Sequence, residues 1–306
     1  MKRHPPHPVT LRQLQYLLAI AEHGNFRRAA EACGVAQPSL SMQVAQLEDA
    51  LDTRIFERLP RSVVVTEAGA AILERARRTI LEADDLVATA QRMRDPFSGT
   101  LRIGVIPTVA PYLLPEIAAR LRKDYPALKL IWSEEKTRDL VMRVEAGELD
   151  AGILALESEL AELETEPLGR DAFFLAVPNG HKLAKKGTPA KLDELDGETV
   201  LLLDDGHCFR DQALAICTRI GAEEASMRAT SMSTLAQMVA GGAGITLLPQ
   251  IALATENRAR SMVLRPFGPR GPARTLVLGW RKTSPIASSL RAIAKTIHGV
   301  VDKLSA

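Results

Sequence analysis

The chain has 306 residues, 46% of them hydrophobic, with 39 lysines and arginines against 37 aspartates and glutamates and a formal net charge of +2. That is apolar material for about two packed domains; the near-neutral net charge excludes little by itself, since a protein that binds a polyanion need only be basic on one face. Three cysteines are too few for a disulfide framework, Met1-Lys2-Arg3-His4-Pro5-Pro6 carries no apolar leader, and no apolar run reaches membrane-spanning length, so a cytoplasmic protein with no membrane partner is expected.

Residues 1–9 are polar and proline-rich and read as a frayed end. From Thr10, a potential cap, the chain turns helical, with Leu11, Leu14, Leu17, Leu18 and Ala21 on one stripe. His23-Gly24-Asn25 ends that helix. Phe26 to Cys33 predicts a second, with Ala29, Ala30 and Cys33 turned inward, Cys33 as a small core side chain. Gly34 breaks it, and a third helix is expected from about Gln37 to Leu51. Short helices joined by Gly34-Val35-Ala36 predict a helix-turn-helix. Leu40, Val44, Leu47 and Leu51 share the buried face of the third helix. Ser39, Met42 and Gln46 then face outward, with Gln37 and Gln43 on the flanks. Small, neutral, hydrogen-bonding side chains near a helix N-terminus suit the reading of base edges; the plainer alternative is a solvated face. Arg54 to Arg58, a turn at Pro60-Arg61-Ser62, and Val63 to Thr66 predict a two-stranded wing, with Arg54, Arg58 and Arg61 against phosphates.

The run from Leu11 to Gly69 resembles the N-terminal winged helix-turn-helix of LysR-type regulators. The resemblance is carried by Leu11 through Leu17-Leu18, Phe26 with Ala29-Ala30, Gln37-Pro38 with Leu40-Ser41, Leu47-Glu48 and Leu51, Phe56-Glu57-Arg58, and Thr66 with Gly69. One departure stands out. The family usually places serine before Gln37, where this chain has Ala36, and a missing N-cap costs about 1 kcal/mol.

Thr66 is expected to cap a long helix to about Asp95. Leu73, Ala76, Ile80, Ala83, Val87 and Ala90 recur at alternating spacings of three and four, a heptad seam that predicts a homodimer; a helix lying on its own core is the alternative. The resulting plan is a winged helix-turn-helix over residues 1–66, a dimerisation helix over 67–95, a hinge at Pro96-Phe97-Ser98-Gly99, and a regulatory domain over 100–306.

The regulatory part reads as α/β. Strands are expected over Thr100–Ile106, Leu128–Ser133 and Leu149–Leu156, with helices from about Pro111 and Thr137 between them. This alternation predicts a largely parallel sheet with chemistry at the strand carboxyl ends, where Thr108 and Thr137 stand. A second lobe is expected over about 173–275. Arg274 to Trp280 then returns as a strand and Ser284 to Leu304 as a final helix, completing a first lobe of about 100–172 and 276–306.

Val200 to Leu203 reads as a buried strand broken by Asp204-Asp205-Gly206. From about Arg210 to Ile220 the pattern is helical, with Ala213, Leu214, Cys217 and Ile220 on one stripe. Cys217 then points inward and Cys208 sits just before the helix. A helix start favours thiolate, and His207 and Arg210 would add donors and, from Arg210, a fixed charge. That makes Cys208 the nucleophile and Cys217 the resolving thiol. A helical spacer of nine residues spans roughly 10–13 Å, whereas a disulfide needs Cα atoms within about 7 Å, so the bond requires the segment to unwind. An arbitrary cysteine pair of this kind would be unremarkable in a reducing cell. A zinc site at His207 and Cys208 lacks a second ligand pair, so no metal and no cofactor is expected.

The context decides. Gly206-His207-Cys208-Phe209-Arg210-Asp211-Gln212-Ala213-Leu214, followed by Cys217, resembles the redox segment of OxyR-type peroxide sensors among the LysR-type regulators, and Gly241 through Pro249 resembles the second-lobe signature of that family. The resemblance implies a two-lobed regulatory domain like a periplasmic binding protein and a peroxide pocket of Thr108, Thr137, His207, Cys208, Asp211 and Arg281. In it the threonines hydrogen-bond peroxide, and Asp211 and His207 order the pocket and assist proton movement. Taken alone, the threonines could be caps, His207 a core histidine and Arg281 a surface charge. Cys208 would become a sulfenic acid and Cys217 would convert it to a disulfide, reversed by cellular thiol reductants. A homotetramer acting on promoter DNA with RNA polymerase, controlling oxidative-stress genes and not an enzyme, is the implied whole. Two rivals remain at this point: a LysR-type regulator with a small-metabolite effector between the lobes, and a thiol peroxidase.

Overall fold

The computed structural model describes residues 7–59, 62–92, 95–156, 160, 162–185 and 187–305; the side chains of residues 58, 88, 91, 92 and 305 are not described. The chain divides into two compact units, residues 1–90 and 91–306.

In the first unit α1 (Leu11–His23) opens on a capping box between Thr10 and Gln13 and closes on Gly24, whose φ of 60° only glycine adopts at low cost. Asn25 caps α2 (Phe26–Ala32) by accepting from the Arg27 and Arg28 amides. Ala36 precedes α3 (Gln37–Ala50) and gives it no side-chain cap; Pro38 in the first turn removes one donor that would need one. Strands β1 (Phe56–Arg58) and β2 (Val63–Val65) pair antiparallel as the wing. A buried acid fixes this wing to α3. Glu48 accepts from the Ile55 and Phe56 amides at 2.7 and 3.1 Å and from Arg54 at 3.2 Å.

Helix α4 runs from Glu67 to Arg92, with Thr66 accepting from the Gly69 amide at its start. Its first two expected seam positions are used elsewhere. Leu73 and Ala76 are buried in the core of the first unit with Leu17, Ile20, Leu40 and Ile55. Ile80 also packs, partly buried, against that core, so of the six expected seam positions only Ala83, Val87 and Ala90 lie beyond it, with Val87 52% and the neighbouring Leu86 71% exposed.

The second unit is built on one seven-stranded sheet. Strands β3 (Gly99–Val105), β4 (Leu128–Glu134) and β5 (Ala151–Ala155) are parallel neighbours, alternating with α5 (Ala110–Asp124) and α6 (Thr137–Glu145). The long strand β6 (Leu163–Pro178) joins the lobes. Its first part, to Ala172, pairs antiparallel with β11 (Ala273–Arg281), and from Phe173 it pairs with β9 (Thr246–Pro249) and β10 (Met262–Pro266). The second lobe adds the parallel pair β7 (Thr199–Leu203) and β8 (Glu223–Ala229), with α7 (Cys208–Arg219), α8 (Met232–Ala240) and α9 (Gln250–Glu256). Helix α10 (Ala287–Ser305) ends the chain against α5 and β6. Helix α7 begins at Cys208 itself, two residues earlier than its apolar stripe suggests, because Gly206 turns the chain at a φ of 89° and leaves His207 as the N-cap residue.

Candidate redox site at the lobe junction

The loops that follow β3, β4 and β7 meet at one recess of about 140 Å³, lined by Ile106, Pro107, Thr108, Lys136, Thr137, Gly206, His207 and Cys208. The first lobe supplies Thr108 ahead of α5 and Thr137 as the first residue of α6; the second supplies Cys208 as the first residue of α7. Helix N-termini carry unpaired amides and partial positive charge, so the recess favours an anion or a developing one. As packed it admits no water-sized sphere, so an occupant requires the loops around it to part, by less for a molecule of a few atoms than for a metabolite. That weighs against a metabolite effector at this place.

Two polar atoms here lack a protein partner. Thr137 Oγ1 and His207 Nδ1 are buried and make no hydrogen bond among the described residues. Such atoms are costly and call for a ligand or water. His207 Nε2 stands 3.0 Å from Asp204 Oδ1. Burial first, and then the Lys136 charge, push the His207 pKa below its usual value, against the pull of Asp204 and the Thr230 carbonyl. The ring is therefore neutral near pH 7, and Nδ1 can serve as donor or acceptor according to tautomer.

Thr108 is committed on one side. Arg274 donates to Thr108 Oγ1 at 2.7 Å and to its carbonyl at 3.0 Å. Because its oxygen accepts from Arg274, the Thr108 hydroxyl keeps its own proton for the recess. Arg274 also pairs with Asp171 at 2.9 Å, both side chains fully buried, and Asp171 accepts from the Ile251 amide. The guanidinium lies 5.5 Å from the Phe209 ring centroid, and Phe209 packs edge-on against Phe173. The chain neighbour of Cys208 is thus wedged into a charged hub at the crossing between lobes.

Three expectations change here. Arg281 does not line the recess. It ends β11 opposite Leu163, seven residues and roughly 23 Å along the strand from Arg274, which holds the guanidinium in contact with Thr108. Asp211 is exposed on the first turn of α7 and is likewise absent from the lining. Arg210 is buried and absent from the lining, and its charge is paired with two acids. It donates to Asp205 at 2.9 Å and to Glu224 at 2.9 Å, while Arg228 bonds the same two acids at 2.9 and 3.0 Å. The cation lining the recess is Lys136. Arg274 and Asp171 are 103 residues apart, so no spacing rule links them. The available signal was a lone arginine entering the otherwise apolar strand Leu276–Leu278.

All three cysteines are reduced. Cys208 and Cys217 are both buried. Nine residues are two and a half helical turns, so they sit on opposite sides of α7 with Cα atoms about 14 Å apart. Burial pushes the Cys217 thiol up to about 11, well clear of the thiolate form at neutral pH.

In the first unit Gln37, Ser39, Met42 and Gln46 are exposed along α3 and Gln43 is half-buried. Arg54 is exposed beside the wing, the Arg58 side chain is not described, and Arg61 lies outside the described residues.

The chain matches the bacterial regulatory helix-turn-helix protein, lysR family, over residues 11–70 and the LysR substrate binding domain over residues 94–301. It is 41% identical over 295 residues to the DNA-binding transcriptional dual regulator OxyR of Escherichia coli K12, covering 96% of each chain. It is 37% identical to a hydrogen peroxide-inducible genes activator of Haemophilus influenzae, covering 97% of this chain and 98% of that one. Among solved structures it resembles a full-length cysteine-to-aspartate variant of OxyR from Pseudomonas aeruginosa (TM-score 0.78, 33% identity, 95% of both chains). It also resembles a hydrogen peroxide-bound cysteine-to-serine variant of OxyR from Corynebacterium glutamicum (TM-score 0.67, 31% identity, 99% and 95% covered).

Proposed function

Because the chain belongs to the LysR-type transcriptional regulators, and among them to the OxyR hydrogen peroxide-inducible activators, we propose that it senses peroxide in the recess at Cys208 and converts the oxidation into altered promoter binding. The observation that carries the residue assignment is that Cys208 lines one recess with two buried polar atoms, Thr137 Oγ1 and His207 Nδ1, that make no hydrogen bond among the described residues. Hydrogen peroxide has two donors and two acceptors, which complement those groups once the loops part enough to admit it.

The chemistry balances as follows. The Cys208 thiolate attacks one peroxide oxygen, the O–O bond breaks, and the distal oxygen leaves as hydroxide while Cys208 becomes a sulfenic acid. The thiol proton, relayed through His207 Nδ1, reaches that hydroxide and completes water. The Thr108 and Thr137 hydroxyls and the α7 N-terminus stabilise the developing charge. The Cys217 sulfur then attacks Cys208, forming the S–S bond and releasing a second water. Cellular dithiol reductants return both thiols.

Exposed Gln37, Ser39, Met42 and Gln46, with half-buried Gln43, support base-edge contacts from α3. Arg54, Arg58 and Arg61 are assigned to phosphates. Asp211 and Arg281, which the family resemblance adds to the pocket, stand outside the recess lining. Self-association through α4 into dimers and tetramers, action with RNA polymerase, and a cytoplasmic location complete the proposal. Footprinting of a target promoter with reduced and peroxide-treated protein tests it. The protected region changes for the wild type and not for Cys208→Ser; an identical shift in the variant would remove Cys208 from the account.

A further inference from the structure

Lys136 occupies the N-cap position of α6, where serine, threonine, aspartate or asparagine would satisfy the helix, and it makes no capping hydrogen bond. Its side chain crosses between lobes instead. Nζ donates to the Asp205 carbonyl at 2.7 Å and stands 3.5 Å from Asp204 Oδ2, two acceptors 68 and 69 residues away on the loop that carries the redox cysteine. Its stem lies along Gly206, where an added Cβ would come within 3.0 Å of Lys136 Cδ. Gly206 thus serves both the left-handed turn and this close approach. An ammonium has three protons, so one remains after the two loop acceptors, at the wall of a recess that Lys136 itself lines. The ion pair is too exposed, 38% and 34% for the two side chains, to contribute much stability, so its geometry is the more informative property.

The loop has an anchor of a different kind within its own lobe. Asp205, Arg210, Glu224 and Arg228 tie it to β8, and that set belongs wholly to the second lobe. Lys136 is the contact that registers the loop against Thr108 and Thr137, the groups contributed by the first lobe. Without it the two halves of the recess are aligned less closely, and reacting groups misplaced by about 1 Å lose up to a hundredfold in rate.

We propose that Lys136 is a positioning residue for peroxide sensing: from the first lobe it holds the 204–206 loop, and with it His207 and Cys208, in register over the recess. The proposal rests on the peroxide reading of that recess. The groups acting on His207 are Lys136 from the first lobe, Asp204 from its own loop and the Thr230 carbonyl beyond β8. Lys136 therefore also helps keep the ring uncharged.

Reduced full-length wild type, Lys136→Met and Lys136→Arg decide the matter by two routes. Without peroxide, hydrogen exchange and NMR follow the loop and His207. Lys136→Met should speed exchange of the 204–208 amides about tenfold, leave the rest of the second lobe unchanged, and move the His207 midpoint upward. With near-stoichiometric peroxide, sulfenylation of Cys208 should slow about tenfold, and its acid limb should shift to higher pH. Lys136→Arg should restore both. Unchanged loop exchange, His207 midpoint and rate in Lys136→Met would overturn the proposal, as would a loss of protection spread over the whole lobe with an unaltered pH profile. If wild-type Cys208 resisted peroxide, the peroxide reading would fall, while exchange and His207 titration would still judge the tether.

Discussion

At the scale of the residue, the site depends on atoms that the fold leaves unpaired. Thr137 Oγ1 makes no hydrogen bond among the described residues, so Thr137→Val removes a group available to an occupant of the recess. Removing one oxyanion-hole donor costs catalytic sites about a hundred- to a thousandfold. Thr137→Val should slow Cys208 oxidation by about tenfold or more while thermal stability stays the same or rises, measured by stopped-flow and calorimetry. An unchanged rate would strip Thr137 of its role. Arg274 is the opposite case. It bonds Thr108 and the buried Asp171, so Arg274→Met leaves an uncompensated buried carboxylate and should cost about 3–5 kcal/mol in denaturant unfolding. An Arg274→Met/Asp171→Leu double variant should recover much of that loss; no recovery would mean the pair is not the source of it.

His207 and Asp211 show how much of the site was legible from residues alone. The motif placed His207 beside Cys208, and the recess keeps both. It also placed Asp211 there, but helix α7 starts at Cys208 rather than two residues later, and this rotation leaves Asp211 in solvent. Arg281 came from the family resemblance alone. The partner of Thr108 is Arg274, whose role comes from a buried contact 166 residues long that periodicity does not encode.

At the scale of the element, α7 is the part that must change. Its two thiols face opposite ways about 14 Å apart, and no side-chain rotation closes that distance. The helix is held by Phe209 at the hub, by Cys217 in the core and by Arg210 in the acidic pair. The Arg210–Glu224 contact depresses the Glu224 carboxyl below its usual range. A depressed folded pKa gives stability that is present above the unfolded value and lost as pH falls through the folded one. Glu224→Gln should therefore open α7 more readily at neutral pH and flatten the acid side of its stability profile. Cys217 acts in the other direction. Its folded value of about 11 lies above the ordinary 9.0, so its contribution is complete below about 9 and is lost between about 9 and 11. Hydrogen exchange of α7 in the reduced protein should accelerate across that window, and in Cys217→Ala it should not.

The elements themselves were mostly legible. Periodicity located α1 to α3, the wing and the alternating strands of the first lobe, because each buries one face on a local core. The continuous strand β6 was not legible. Its sixteen residues pass from one lobe to the other, so the pattern of buried faces changes partway along. The heptad in α4 was readable, but three of its positions, Leu73, Ala76 and Ile80, pack on the core of the first unit, since a burial pattern does not say which surface covers it.

At the scale of the whole molecule, Tyr112 of α5 donates to Glu256 of α9 at 2.7 Å, and Ser233 of α8 donates to the same oxygen. The Arg274 hub and this clasp both join the lobes. In the first unit the apolar face of α4 left at Leu86 and Val87 is the natural contact for a second copy. Val87→Glu should weaken self-association in sedimentation equilibrium and reduce promoter affinity with it, because two half-sites need two recognition helices. A variant with unchanged mass distribution would place the interface elsewhere.

The most direct measurement is the thiol state of Cys208 and Cys217 after brief, near-stoichiometric peroxide, by mass spectrometry on the wild type and Cys217→Ser. The account predicts a Cys208–Cys217 disulfide in the wild type and a trapped sulfenic acid at Cys208 in the variant. A Cys208 that stayed reduced while other thiols oxidised would contradict it.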